Sequence, residues 1–311
     1  MSDYEWKISF VLNGAKCEEK VSEGGWSIHQ LSSRNGKERL EFAYRFKTAA
    51  NEDYEKIYCL AQERVNDLLD AMSAGLFFSL EHVYFPTISD FEVVLENKAE
   101  LVRMGQPIPS RFTINFKYNL VVSNSGLRTA LENLQKLASS PNRDTLRHCL
   151  RIYRRGLSYE DSFDKFFTLW RTFNALYNHY STKRSETERI RETLHELGQN
   201  ERELLIRTYS KVPDNSELAF TLARHNYDLF TYLASKNLVD DYGNDRSNQL
   251  SNALASRQSE DIIIGAILCL YVIRCWYAHA SDSDITKDEE IFKVGSVFLA
   301  AVLSCFLNKM V

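Results

Sequence analysis

Residues 262–280 read IIIGAILCLYVIRCWYAHA, and their reading decides how the rest of the chain is organised. Ile262 to Ile273 carry no charge; Arg274 ends the run, Cys275-Trp276-Tyr277-Ala278 follow, and then His279. Ser281-Asp282-Ser283-Asp284, just beyond, cannot continue an apolar helix. A helix that is apolar on every side belongs at the centre of a bundle. Arg274 and His279 therefore stand at the polar end of a core element, where such groups are costly unless they are paired or used.

Around this helix the chain divides by pattern. At 311 residues it has room for about two domains. Beyond Ser123-Asn124-Ser125-Gly126, a small polar stretch and the expected boundary, no convincing strand remains. Helices are expected at 127–139, 142–156, 160–181, 186–197, 200–210, 215–236, 246–256, 260–280 and 287–309. In 160–181 the residues Phe163, Phe166, Phe167, Trp170, Phe173, Leu176, Tyr177 and Tyr180 recur at three- and four-residue steps, one aromatic stripe. Ser185 with Glu188, and Thr286 with Glu289, have capping-box spacing.

Residues 1–122 read as an α+β domain whose role the sequence does not disclose. Trp6–Leu12 is an expected strand closed by the turn pair Asn13-Gly14. Glu41–Phe46 alternates with period two, and Phe91–Leu95 and Phe112–Leu120 are further expected strands. From Asp53 to Met72 the apolar residues Ile57, Leu60, Ala61, Val65, Leu68 and Leu69 keep helical spacing. The fold class is thus an α+β domain, 1–122, followed by an all-α bundle, 127–311.

Composition narrows the function classes. The formal net charge of -4 makes the whole chain no polyanion binder, so a nucleic-acid site must be a local basic patch. The six cysteines are scattered, with no C-x-x-C pair, which points to a reducing compartment without disulfides, zinc site or other metal. No phosphate loop, dinucleotide fingerprint or H-E-x-x-H is found, so no cofactor is expected. MSDYEWKISF has no basic n-region and no long apolar core, and a cytoplasmic protein is expected. Ile262–Ile273 and Val294–Leu307 are each shorter than the roughly 20 residues a membrane span needs, so both are read as core helices.

Two constellations carry chemistry. Arg143, Arg147, Arg151 and Arg154 fall on one face of the expected helix 142–156, with Arg155 beside them. That stripe suits a nucleic-acid backbone; a solvated face with acidic partners elsewhere is the plain alternative. Arg274 and His279 fit the spacing R-x(4–6)-H, which chance alone supplies about once or twice in such a composition. Arg143…His148 and Arg189…His195 fit it too, but only Arg274…His279 closes a fully apolar helix. A five-residue step leaves the two side chains about 140° apart on an ideal helix. They converge only if the helix ends between them or a second copy contributes.

At this point the chain resembles a family. Phe166–Leu176, FFTLWRTFNAL, resembles the early helix of HEPN-domain proteins, more specifically their Apea-like branch, and Tyr271–His279, YVIRCWYAH, resembles that family's R-x(4–6)-H segment before its last helix. The resemblance covers roughly 127–311. It implies a helical bundle of HEPN type, commonly a homodimer, in which paired Arg and His form a metal-independent endoribonuclease site for single-stranded RNA, in defence or stress response. Arg274 would then stabilise charge on the phosphate and His279 would move a proton, giving a 2′,3′-cyclic phosphate. Active members usually carry a polar residue where this chain has Cys275, and relatives of the branch often carry an acid where it has Asn174. The resemblance therefore also admits a non-catalytic HEPN module that binds nucleic acid, a nucleotide or a protein partner.

Overall fold

The computed structural model describes residues 4–17, 19–34, 37–49, 52–75, 94–96, 104, 113–121, 124–211, 222–224, 227–278 and 289–310. The chain forms two compact units, one of Met1–Ser158 with the last two residues and one of Tyr159–Lys309.

The first unit is α+β. Its sheet holds β1 (Tyr4–Lys16), β2 (Val21–Glu23), β3 (Trp26–Arg34), β4 (Lys37–Thr48), β5 (Val94–Glu96) and β6 (Thr113–Val121). The order is β2-β3-β4-β1-β5, with β6 also on β1. β1 is central. It pairs antiparallel with β4 along one edge; the other is shared by β5, antiparallel at Lys7–Ser9, and β6, parallel from Val11 onward. Ile8, Tyr44 and Trp26 lie in one cross-strand row, and Phe10, Phe42 and Ile28 in the next. Phe10 and Phe42 stack at 4.9 Å, the kind of cross-strand aromatic pair that pins register. On the opposite face the buried Glu41 meets its cross-strand neighbour His29 at 2.9 Å.

Asn13-Gly14 does not turn the chain: β1 runs on to Lys16, and its pairing with β6 shifts register between Asn13 and Ala15. The tight turn is Gly24-Gly25, linking β2 and β3, which sequence pattern did not single out as strands. Both glycines have positive φ, +58° and +83°, as a two-residue hairpin of this hand requires.

Three helices complete this unit: α1 (Tyr54–Gly75), α2 (Asn124–Ser139) and α3 (Arg143–Ser158). α2 and α3 pack on α1, so the unit continues past the boundary expected at 123–126 and closes at Ser158.

The second unit is helical: α4 (Ser162–Tyr180), α5 (Glu186–His195), α6 (Gln199–Tyr209), α7 (Leu229–Ala234), α8 (Arg246–Ser256), α9 (Ser259–Ala278) and α10 (Glu289–Met310). Aspartates fix three starts by accepting a backbone N–H three residues on: Asp161 from Asp164, Asp228 from Thr231 and Asp245 from Asn248. Asp228 also explains why the single helix expected at 215–236 does not form across 227–228; residues 212–221 lie outside the described residues. Ser185 is the N-cap of α5, yet its hydroxyl meets Thr187 and closes no capping box. Thr286 lies outside the described residues.

α9 is the core helix its pattern predicts. From Ile262 to Ile273 every side chain except Tyr271 is buried, and α5, α6, α7 and α8 pack around it. α10 is threaded by rings. Phe292 touches Phe163, Phe166 and Tyr277; Phe298 touches Tyr209 and Phe230; Phe306 touches Tyr180. Among the described residues α9 and α10 are long and apolar enough to cross a membrane, but most of each apolar stretch is buried in this unit.

Candidate functional site

The buried run of α9 ends at Arg274, whose side chain is 29% exposed. There the helix meets the C-terminal half of α4 and the first turn of α5 in a small polar junction. One carboxylate organises it. Glu186 accepts the Tyr177 hydroxyl hydrogen through Oε1, while its Oε2 lies 3.8 Å from Arg274 Nη1. One helical turn on, Arg189 lies over the Tyr177 ring at 5.1 Å and donates to the Asn178 side-chain oxygen. On the other side Arg274 Nη1 is 3.8 Å from Cys275 Sγ, and the Cys275 thiol also meets the Tyr271 hydroxyl.

The charges of this junction are stable. Burial, then the Glu186 contact, pushes the Tyr177 hydroxyl far above the usual phenol range. Burial and then Cys275 do the same to Tyr271. Burial works against the Arg274 cation, but Cys275 and Glu186 outweigh it and raise its pKa. Two guanidiniums thus face one carboxylate and two neutral phenols. An ion pair at 3.8 Å is too long for a hydrogen bond, so Glu186 orients Arg274 without occupying its N–H fork. Such a fork suits a pair of phosphoryl oxygens.

Asn174 stands one turn before Tyr177 on α4. Among the described residues its buried Oδ1 has no hydrogen-bond partner, and neither has Trp170 Nε1. A carboxylate does reach Arg274, but from Glu186 on α5 rather than from position 174. Sequence reasoning passed over Glu186 and met Arg189 only in the spacing Arg189…His195; the i, i+3 spacing of the two, which puts both on one face of α5, was the available signal. His279 lies outside the described residues, which follow α9 to Ala278.

The arginine stripe goes elsewhere. On α3, Arg147 pairs with Glu63 at 2.5 Å and with Asp67, Arg154 pairs with Asp70 at 2.5 Å and donates to Asn66 at 3.3 Å, and Arg151 reaches Asp70 at 3.6 Å and Asp67 at 4.0 Å. Arg154 is 3% exposed and Asp70 1%. Arg143, half-buried, has its Nε shut from solvent with no hydrogen-bond partner among the described residues. Three of the four arginines on the expected phosphate-tracking face thus meet anions within the same unit: α1 supplies the carboxylates that pair with Arg147, Arg151 and Arg154. Burial pushes the Asp70 carboxyl up to about 6 despite Arg154 and Arg151, and raises Asp67 too.

The other two Arg…His spacings do not form sites. His148 is exposed on α3. His195 pairs through Nδ1 with Glu260, which Arg202 also holds at 2.5 Å, while Arg189 is engaged at the Tyr177 junction.

Beyond Cys275, α9 lines a shallow cleft with Tyr271, Val272, Cys275 and Trp276 on one wall and the loop Asp240-Asp241-Tyr242 on the other. That loop is locked. The Asp240 carboxylate accepts from the backbone N–H of Tyr242 and Asn244, the Asn244 amide and the Arg246 guanidinium. Although its burial acts the other way, these bonds hold the Asp240 carboxyl below the ordinary range. Comparison of the chain with protein-family models, curated proteins and solved structures finds no match.

Proposed function

We propose that the helical unit is a HEPN-like, metal-independent endoribonuclease domain acting on single-stranded RNA through Arg274 and His279. The observation that carries the reading is Arg274 itself: a partly exposed cation ending the apolar run Ile262–Ile273, oriented by Glu186 without a hydrogen bond from it and touched on the other side only by a long contact to the Cys275 thiol. In this role Arg274 binds the non-bridging phosphate oxygens as charge builds in the transition state. His279, five residues on, moves the proton of the 2′-hydroxyl or of the leaving oxygen. Both are supplied in duplicate by a homodimer, which answers the angular separation of the two positions on one helix. Arg189 raises the local positive charge. The α3 stripe takes no part.

The test is cleavage of an end-labelled single-stranded RNA in EDTA by the native chain, Arg274→Ala and His279→Ala. Native cleavage that leaves a 2′,3′-cyclic phosphate is expected, with a loss on the order of a hundredfold or more in each variant. If the native chain leaves every RNA intact, or both variants cleave normally, the proposal fails. The second reading, a non-catalytic interaction module, is favoured by one feature, the open aromatic cleft beside Cys275.

A further inference from the structure

Three rings stand near the C-terminal end of α9. Tyr271 packs on Trp170, at 6.3 Å between centroids, and Tyr277 packs on Phe292, at 4.9 Å. Trp276 turns outward instead and is 44% exposed. Of the four tryptophans in the chain the other three, Trp6, Trp26 and Trp170, are buried. A single exposed apolar side chain needs no explanation, but Trp276 has a cation close by. Arg274 Nη1 lies 3.8 Å from Cys275 Sγ, and Cys275 and Trp276 share one wall of the shallow cleft. Two positions apart on a helix, Arg274 and Trp276 leave it about 160° from each other. The arginine side chain reaches back to the Cys275 thiol and narrows that gap. One small side chain thus separates a guanidinium from an open indole.

Together the two groups match a nucleotide. A guanidinium takes a pair of phosphoryl oxygens. An indole face takes a base of any identity, because every base has a π-face. In a duplex each base is already stacked on both sides, so only an unpaired strand can offer one. The cleft admits little more than a water, so the base lies on the outer face of the indole rather than inside it. Charge sets the direction. The opposite wall carries the exposed Asp241 beside Asp240, which Arg246 holds at 2.6 Å. A phosphate is therefore favoured on the Arg274 side and disfavoured beside that loop. We propose that Trp276 is the stacking platform for the base next to the phosphate that Arg274 binds, and that it is what selects single-stranded RNA over duplex. This rests on the RNA reading of Arg274 and names the part of the substrate recognised beside the scissile phosphate.

The test uses a short mixed-sequence 2′-O-methyl RNA strand, which lacks the free 2′-hydroxyl that cleavage needs, and an abasic strand of the same length and charge. Tryptophan emission of the full native chain is read with acrylamide as quencher. Because the other three tryptophans are buried, the quencher reports on Trp276. The base-bearing strand is expected to shield Trp276, and its duplex to leave the ring open. The abasic strand should bind about fivefold to a hundredfold more weakly, the worth of one stacked base. Trp276→Ala should lose the same factor for the base-bearing strand, and Trp276→Phe should recover part of it. A strand that binds without shielding Trp276, or no more tightly than the abasic strand, overturns the proposal and leaves the cleavage reading to its own assay. No binding at millimolar strand overturns it too. Shielding of Trp276 in a chain that cleaves no RNA would keep the platform and remove the nuclease.

Discussion

Replacing Arg154 with Met should separate charge from packing in the α1–α3 interface. Methionine keeps much of the stem volume and removes the guanidinium that pairs with Asp70 at 2.5 Å. Breaking a buried ion pair on one side costs about 3–5 kcal/mol, because the remaining charge has lost its partner. The Asp70 carboxyl, already raised to about 6 from 3.8 by burial, climbs further once Arg154 no longer opposes that rise. A carboxyl raised on folding binds its proton more tightly in the native state than in the unfolded one. Stability from this group is therefore greatest when the pH is low enough to protonate it, and falls as the pH rises through its native pKa. In the variant the carboxyl is neutral at pH 5 and the loss should shrink to about 1 kcal/mol, mostly packing, whereas at pH 8 the full 3–5 kcal/mol should appear. Urea unfolding at the two pH values measures this, and hydrogen exchange in α1 and α3 localises it. An equal loss at both pH values would refute the electrostatic account. A loss under about 1 kcal/mol at pH 8 would mean that Asp70 is not sealed against Arg154.

Two further expectations concern the described core. Gly25→Ala should cost about 1–2 kcal/mol, because its φ is +83° and the new Cβ would come within 2.7 Å of the Tyr44 ring; unchanged thermal melting would contradict the hairpin geometry. Burial pushes the Cys149 thiol up to about 11 and those of Cys269 and Cys305 to about 12, while Cys59 is exposed. At pH 8 a disulfide reagent should modify Cys59 and the half-exposed Cys275 first and spare those three until the chain unfolds, and Cys59→Ser should remove one equivalent from that early labelling. Rapid labelling of any of the three in native protein would show that its helix opens.

What could be read from the sequence follows from range. The stripe Phe163–Tyr180 and the run Ile262–Ile273 are local periodicities, and each settles the surroundings of its own helix; α4 and α9 bury the faces these patterns mark. Turns were harder. Asn13-Gly14 has strong turn chemistry, yet pairing with β6 on both sides of it, at Asn13 and again at Ala15 and Lys16, carries β1 through, a tertiary override of local preference. β2 is only three residues long, too short to show alternation, so its hairpin at Gly24-Gly25 left no periodic signal. The Glu186 junction unites three helices, and nothing within one of them announces the other two.

The arginine stripe shows what a longer-range reading can recover. A spacing of cations says which face they share, never what lies opposite. The opposite face was nevertheless in the chain: Glu63, Asp67 and Asp70 on α1 step by four and three, as do Arg147, Arg151 and Arg154 on α3, each 84 positions later. Two complementary stripes with the same steps pair in register only if their helices run in the same sense. The structure pairs them so, Arg147 with Glu63 and Asp67, and Arg154 with Asp70. Arg274 has no such matching stripe. Its partners are one carboxylate and one thiol, each at 3.8 Å, and its side chain stays partly exposed. That contrast, between cations matched one for one by a facing helix and a cation held loosely at a helix end, is the physical ground for removing α3 from the RNA hypothesis and keeping Arg274 in it.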